Sequence, residues 1–121
     1  MASTSTSMGM FNPQFPKFNG KNYDYWAITM KALFAYQDLW ELVQDSFEEP
    51  ADENEFNRLT QAEKDLLKSN RKKDSKALVF LYQAVDQSVF PRIAVAKTSK
   101  VAWQTLKTAY QGMEKVKTAK L

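Results

Sequence analysis

The side chains that could do chemistry in this chain are few in kind. Its 121 residues hold no cysteine and no histidine, which leaves 14 carboxylates, 17 Lys/Arg and the hydroxyls. General acid–base catalysis commonly uses a histidine, a tuned carboxylate pair or a tuned lysine. The carboxylates crowd instead into one stretch, QDSFEEPADENEFN at 44–57, which reads as a solvated loop pinned at its ends by Phe47 and Phe56. That loop lacks the spacing and turn glycine of a calcium-binding EF-hand, so a carboxylate metal cluster is rejected. A serine nucleophile needs an activating base, and the sequence signals none. The glycines do not form a phosphate-binding loop: Gly20 and Gly112 are isolated, and Gly9 lies in a polar N-terminal stretch. The sequence therefore implies no cofactor, no metal and no enzymatic activity. It points to a protein that works by its surfaces.

Two basic stretches are the remaining chemical candidates. Arg71, Lys72, Lys73 and Lys76, with Lys68, crowd one segment, and Lys115, Lys117 and Lys120 lie at the C-terminal end. Positive charge of this kind supplies the sequence-independent part of nucleic-acid binding. The aromatics sit at core spacing rather than between the lysines, so base stacking is not indicated. Asp65 and Asp74 dilute the first stretch, and a lysine run on a helix is usually a solvated face, so the expected affinity is weak and salt-sensitive at most. The whole chain is split in charge. Residues 1–63 carry 4 Lys/Arg and 10 Asp/Glu, and residues 64–121 carry 13 and 4, a net −6 against +9. Such asymmetry favours contacts between copies or one basic face towards an anionic partner.

The elements that must position these groups are helical. A 44% apolar and 13% aromatic content with only three glycines is globular, and this length buries a core without staples. No apolar run is long enough for a transmembrane helix. The N-terminus lacks the basic and apolar regions of a secretory signal, and Ala2 excludes myristoylation. Residues 1–13 read as a disordered or extended arm and 14–121 as one helical domain. Pro13 and Pro16 hold FNPQFPKFNG extended. Its Phe11 and Phe15 either pack on the chain's own core or form an assembly arm that docks on a second copy. Asn19-Gly20 is a turn signal.

Asn22 is placed to cap a first helix reaching about Tyr36, with Trp26, Met30, Leu33 and Phe34 on one face. Tyr23, Tyr25 and Ile28 widen that face so far that the helix should be wedged between other elements. Asp38 can cap a short helix carrying Leu39, Trp40, Leu42 and Val43. Thr60-Gln-Ala-Glu63 is a capping box, opening a helix that runs through Leu66, Leu67, Ala77, Leu78, Leu81, Tyr82 and Val85. Its polar middle, Lys68 to Lys76, contains no proline or glycine, although a break near Ser69-Asn70 is open. A short turn follows at Pro91. Thr98 can cap a last helix striped by Ala102, Trp103, Leu106, Ala109, Tyr110 and Met113, with Gly112 as its stop. The stretch MEKVKTAKL then ends without a closing cap, which predicts that the parent protein continues.

Taken in order, several of these segments resemble the N-terminal Gag region of copia-type LTR retrotransposons, the plant ones especially. They are the Phe-x-Gly-x-x-Tyr-x-x-Trp pattern at Phe18, Gly20, Tyr23 and Trp26, followed by Met30; Asp38-Leu39-Trp40; NRKKDSKAL at Asn70 to Leu78; VFPRIAVAKTSKVAWQTLKTAYQG at Val89 to Gly112; and the trailing EKVKTAKL. The likeness spans roughly residues 14–121. It implies a small all-α, capsid N-terminal-domain-like fold of five or six helices. It also implies a structural role: copies self-associate into a virus-like particle in the cytoplasm that packages the element's RNA. The family pattern continues into further helices and often a zinc knuckle, which a chain without Cys or His lacks. The expected partners are thus further copies of the chain, and RNA through the parent protein, with no membrane. The positions expected to define the fold are Phe18, Trp26, Met30, Phe34, Trp40, Leu78, Leu81, Trp103, Leu106 and Tyr110. Two alternatives remain: a domesticated Gag binding a partner peptide in an aromatic-lined groove, and a plain nucleic-acid binder using its lysines.

Overall fold

The computed structural model describes residues 15–112. Five α-helices make up the described part: α1 (Tyr23–Tyr36), α2 (Trp40–Asp45), α3 (Glu53–Asn57), α4 (Gln61–Gln83) and α5 (Ser99–Leu106). A 3-10 turn at Phe90–Arg92 precedes α5, and a π-helical turn at Lys107–Gln111 follows it. The fold is all-α, and its one extended pairing among the described residues is an isolated parallel bridge between Phe18 and Val85.

α1 buries Tyr23, Trp26, Met30 and Phe34, a stripe that rises one turn at a time. The helix is not wedged between other elements. Tyr25, Ile28 and Tyr36 are 71%, 68% and 74% exposed. α1 meets α2 and the π turn with its buried side, and the side that carries these three residues faces outward. Asn22 occupies the N-cap position in the left-handed conformation, φ 58°, without a capping side-chain bond.

The far end of α1 corrects another expectation. Asp38 does not cap α2. It is left-handed, φ 60°, and its N–H bonds the Ala35 carbonyl at 3.1 Å while the Leu39 N–H reaches back to Phe34 at 2.7 Å. Those two bonds form a Schellman motif closed by the apolar pair Phe34 and Leu39, both buried. Leu39 itself is the N-cap residue of α2.

The acidic segment is not all loop. Asp52 accepts from the Glu55 N–H at 2.8 Å and starts α3, with Glu55 accepting in return from the Ala51 N–H at 3.1 Å. α4 opens with the full capping box: Thr60 Oγ1 accepts from Glu63 N–H at 3.1 Å, and Glu63 Oε1 from Thr60 N–H at 2.8 Å. The helix then runs unbroken for 23 residues, about 35 Å, with no break at Ser69-Asn70. Leu67, Asp74, Ala77 and Leu81 are its buried positions, all on one face. The polar middle stays helical because it projects into water while Asp74 alone turns inward.

α5 is capped as the sequence predicts, Thr98 Oγ1 accepting from Val101 N–H at 3.2 Å. Gly112 does not stop it: at φ −65° and ψ −36° it is right-handed. The helix instead loosens into the π turn. α5 packs on α4 and α2, and α2 touches α1 and α4. Phe18, Leu81, Val89, Ile93 and Leu106 complete the core between them. Each such buried apolar side chain contributes about 1.5–3 kcal/mol.

Candidate functional site

The aromatic side chains form one connected cluster. The Trp26 ring stacks on Phe18 at 4.9 Å and on Trp103 at 5.7 Å. Trp103 in turn meets Trp40 edge-on at 5.5 Å and Phe34 at 6.0 Å. The Trp26 indole N–H donates to two carbonyls, Pro16 and Ala84, each at 3.1 Å. Beside it the Phe18 N–H donates to Ala84 at 2.8 Å, and the Asp86 N–H to the Phe18 carbonyl at 2.9 Å. One indole and one bridge thus fasten the entering chain to the end of α4. Burial of Tyr23, and secondarily the charge of Asp24, push the Tyr23 phenol up to about 12.

Each residue of the two sequence patterns has a physical task. Gly20 takes φ 100° in a turn where Asn19 Oδ1 accepts from Lys21 N–H at 3.0 Å. A Cβ there would lie in ordinary contact with the Tyr110 ring, at 3.6 Å, so it is the backbone conformation that calls for glycine. The π turn brings Tyr110 back against Phe18 at 4.8 Å, with the Arg92 guanidinium 5.3 Å from the Tyr110 ring. In the second, the Thr-Ser-x-x-Ala-Trp centre of the Val89 to Gly112 segment, Thr98 caps, Ala102 leaves room for close packing, and Trp103 joins the cluster. Ser99 is the member whose role the sequence hid. Asp74, 5% exposed, accepts from the Ser99 hydroxyl at 2.6 Å and from the Ser99 N–H at 3.1 Å. By its sequence neighbours alone, Asp74 merely dilutes a lysine run. Its only advance signal is an acid on the apolar face of α4, seven residues from Leu67 and Leu81 alike.

Of the fold-defining candidates, Phe18, Trp26, Met30, Phe34, Leu81, Trp103 and Leu106 are buried, and Trp40, Leu78 and Tyr110 are half-buried against them. Phe15 lies 5.0 Å from Phe80 of the same chain, while Phe11 lies outside the described residues. Between α1, α2 and α5 a cleft of about 450 Å³ opens over Tyr23, Ile28, Trp40 and Trp103, edged by Lys31 and Lys107. Lys31 holds its ammonium 5.1 Å from the Trp40 ring.

The basic residues of α4 divide in two. Arg71 is clamped by Glu49, Nε to Oε2 at 3.0 Å and Nη2 to Oε1 at 2.6 Å. That bond holds the Glu49 carboxyl below its ordinary range and raises the arginine. Lys76 reaches Gln37 at 3.3 Å and lies 5.8 Å from the Phe80 ring. Lys68, Lys72 and Lys73 are exposed; Lys115, Lys117 and Lys120 lie outside the described residues. Among the described residues no three carboxylates converge as metal ligands, and no helix is long and apolar enough to cross a membrane.

The fold and these surfaces define a small all-α domain built on an aromatic core, with apolar side chains left on its outer helix faces. Residues 30–121 match the family model for the gag polypeptide of LTR copia-type elements, and the chain belongs to that family. Gag is a structural, non-enzymatic region of such elements. No curated protein and no solved structure matches the chain.

Proposed function

We propose that this chain is a self-associating piece of a copia-type Gag, which builds cytoplasmic particles around the element's RNA. The observation that carries the reading is the family match across residues 30–121. The structure is compatible with it: its buried polar groups are used in holding the fold together, and Tyr25, Ile28, Tyr36, Leu66 and Val95 are left facing outward. Many weak contacts repeated in a closed shell reinforce one another, so a single domain need bind its neighbour only weakly. RNA would meet the exposed Lys68, Lys72 and Lys73, or segments of the parent protein. Sedimentation velocity over a concentration series tests the core of the reading. Mass that rises with concentration supports it, and a monomer persisting into the millimolar range overturns it.

The cleft beside Trp40 and Trp103 favours one second reading, a Gag-derived adaptor that takes a partner's peptide there. An adaptor stays monomeric at every concentration and binds one defined peptide. Trp40→Ala then removes binding without changing the oligomeric state.

A further inference from the structure

The outer face of α1 is the least expected surface of the molecule, and its chemistry specifies an occupant. Tyr25, Ile28, Ala32, Ala35 and Tyr36 all lie on the exposed side of that helix. Two tyrosines and an isoleucine more than two-thirds exposed make an apolar stripe, and the alanines let a second helix approach. Along one edge run Asp24 and Lys31, both exposed. They stand seven residues apart, or about 10 Å along the axis, with Ile28 between them.

That arrangement is complementary to itself. A two-fold axis placed between Ala27 and Ile28 runs a second α1 antiparallel to the first. It keeps the charged edge beside the charged edge, and it sets Asp24 opposite the second copy's Lys31, and Lys31 opposite its Asp24. Residue i then meets j while j meets i, the signature of an isologous contact. In that register the two helices overlap from Tyr23 to Ala32, so Tyr25 and Ile28 are covered by the second copy while Ala35 and Tyr36 extend past its first turn. From the exposed fractions of Tyr25 and Ile28, the overlap offers on the order of 300 Å² per copy. A pair buries about 600 Å², well short of the roughly 1,000 Å² that marks a stable interface. The contact is therefore weak alone and useful only when repeated.

We infer that the outer face of α1 is a two-fold docking surface for a second copy of this chain, registered by reciprocal Asp24–Lys31 pairs. The inference rests on the self-association proposed above and names where it occurs. The test is a charge exchange on the full 121-residue chain, read by sedimentation velocity. Asp24→Lys and Lys31→Asp each turn both attractive pairs into repulsive ones, and each alone should weaken association roughly tenfold or more. Mixing the two variants restores opposite charges at both positions, and the mixture should associate at least as well as the original chain. The double variant Asp24→Lys/Lys31→Asp should recover as well. Circular dichroism checks that these exposed changes leave the helices intact. If the original chain associates and the single reversals do not weaken it, the surface is wrong and self-association stands. If the reversals weaken association and mixing does not restore it, the two-fold register is wrong. If the original chain does not associate at any concentration, both the surface and the function proposed above fall.

Discussion

Removing the Asp74 carboxylate should cost more stability than any other single polar change in the described fold. Asp74 is buried on α4 and Ser99 is fully buried at the first turn of α5. Two hydrogen bonds join them, at 2.6 Å and 3.1 Å. Bonds to a charged acceptor contribute about 1.5–3 kcal/mol each, and a buried donor left without a partner costs about 1–3 kcal/mol. Asp74→Ala deletes both bonds and strands the Ser99 amide and hydroxyl. The helix dipole of α5 also loses its negative neighbour. The expected loss is about 3–6 kcal/mol, or roughly 10–30 °C in Tm for a domain of this size. Ser99→Ala keeps the amide bond and loses only the hydroxyl, so it should cost about 1–2 kcal/mol. The assay is urea denaturation followed by tryptophan fluorescence, since Trp103 lies on α5 itself. In the double variant the losses should fall short of their sum by about 1 kcal/mol or more, because the partners share one bond. A cost for Asp74→Ala below about 1 kcal/mol, or strict additivity, would refute the reasoning.

Four other perturbations probe named contacts. Because burial raises the Tyr23 phenol to about 12, the unfolded chain loses this proton first; stability present below about pH 10 is lost as pH rises towards 12, and Tyr23→Phe should flatten that alkaline limb in a pH series of melts. Asp38→Gly should stabilise the protein by about 0.5–1 kcal/mol in urea denaturation, since φ 60° suits glycine. Trp26→Phe keeps a large ring but removes the donor shared by the Pro16 and Ala84 carbonyls, so a loss of about 1–2 kcal/mol should appear in the same assay. Lys72→Glu with Lys73→Glu should abolish any RNA binding by this chain, measured by fluorescence anisotropy at low salt; binding that survives would rule out the α4 basic face.

What could be read from the sequence was whatever depends on near neighbours. Thr60 with Glu63, and Thr98 three residues before Val101, are capping chemistry written within one turn. The Trp26, Met30, Phe34 stripe is a period, which folding merely realises. The order of motifs from Phe18 to Trp103 also identified the family. Distance along the chain hid much of the rest, and competing local signals hid the remainder. Nothing near Asp74 announces that its partner is Ser99, 25 residues on. Asp38 looks like a cap for α2, yet it closes α1, because the pair Phe34 and Leu39 needs a left-handed residue between them. Tyr25 and Ile28 look like core by composition. Which apolar residues stay outside depends on how many neighbours a helix has, and no local pattern records that. The cleft at Trp40 is likewise a product of three helices meeting.

The bridge between Phe18 and Val85 has a consequence for synthesis. The entering segment is held by the carbonyl of Ala84 and the amide of Asp86, so its partners leave the ribosome roughly 68 residues after Phe18 does. At about 5–20 residues per second, that is a wait of roughly 3–14 s. Throughout it, Phe15, Phe18 and Trp26 have been made while the strand-like seat that receives them has not. The N-terminal aromatics are thus the first part of the domain to be translated and among the last to find their places. A nascent chain halted before residue 84 would present them to any other copy nearby.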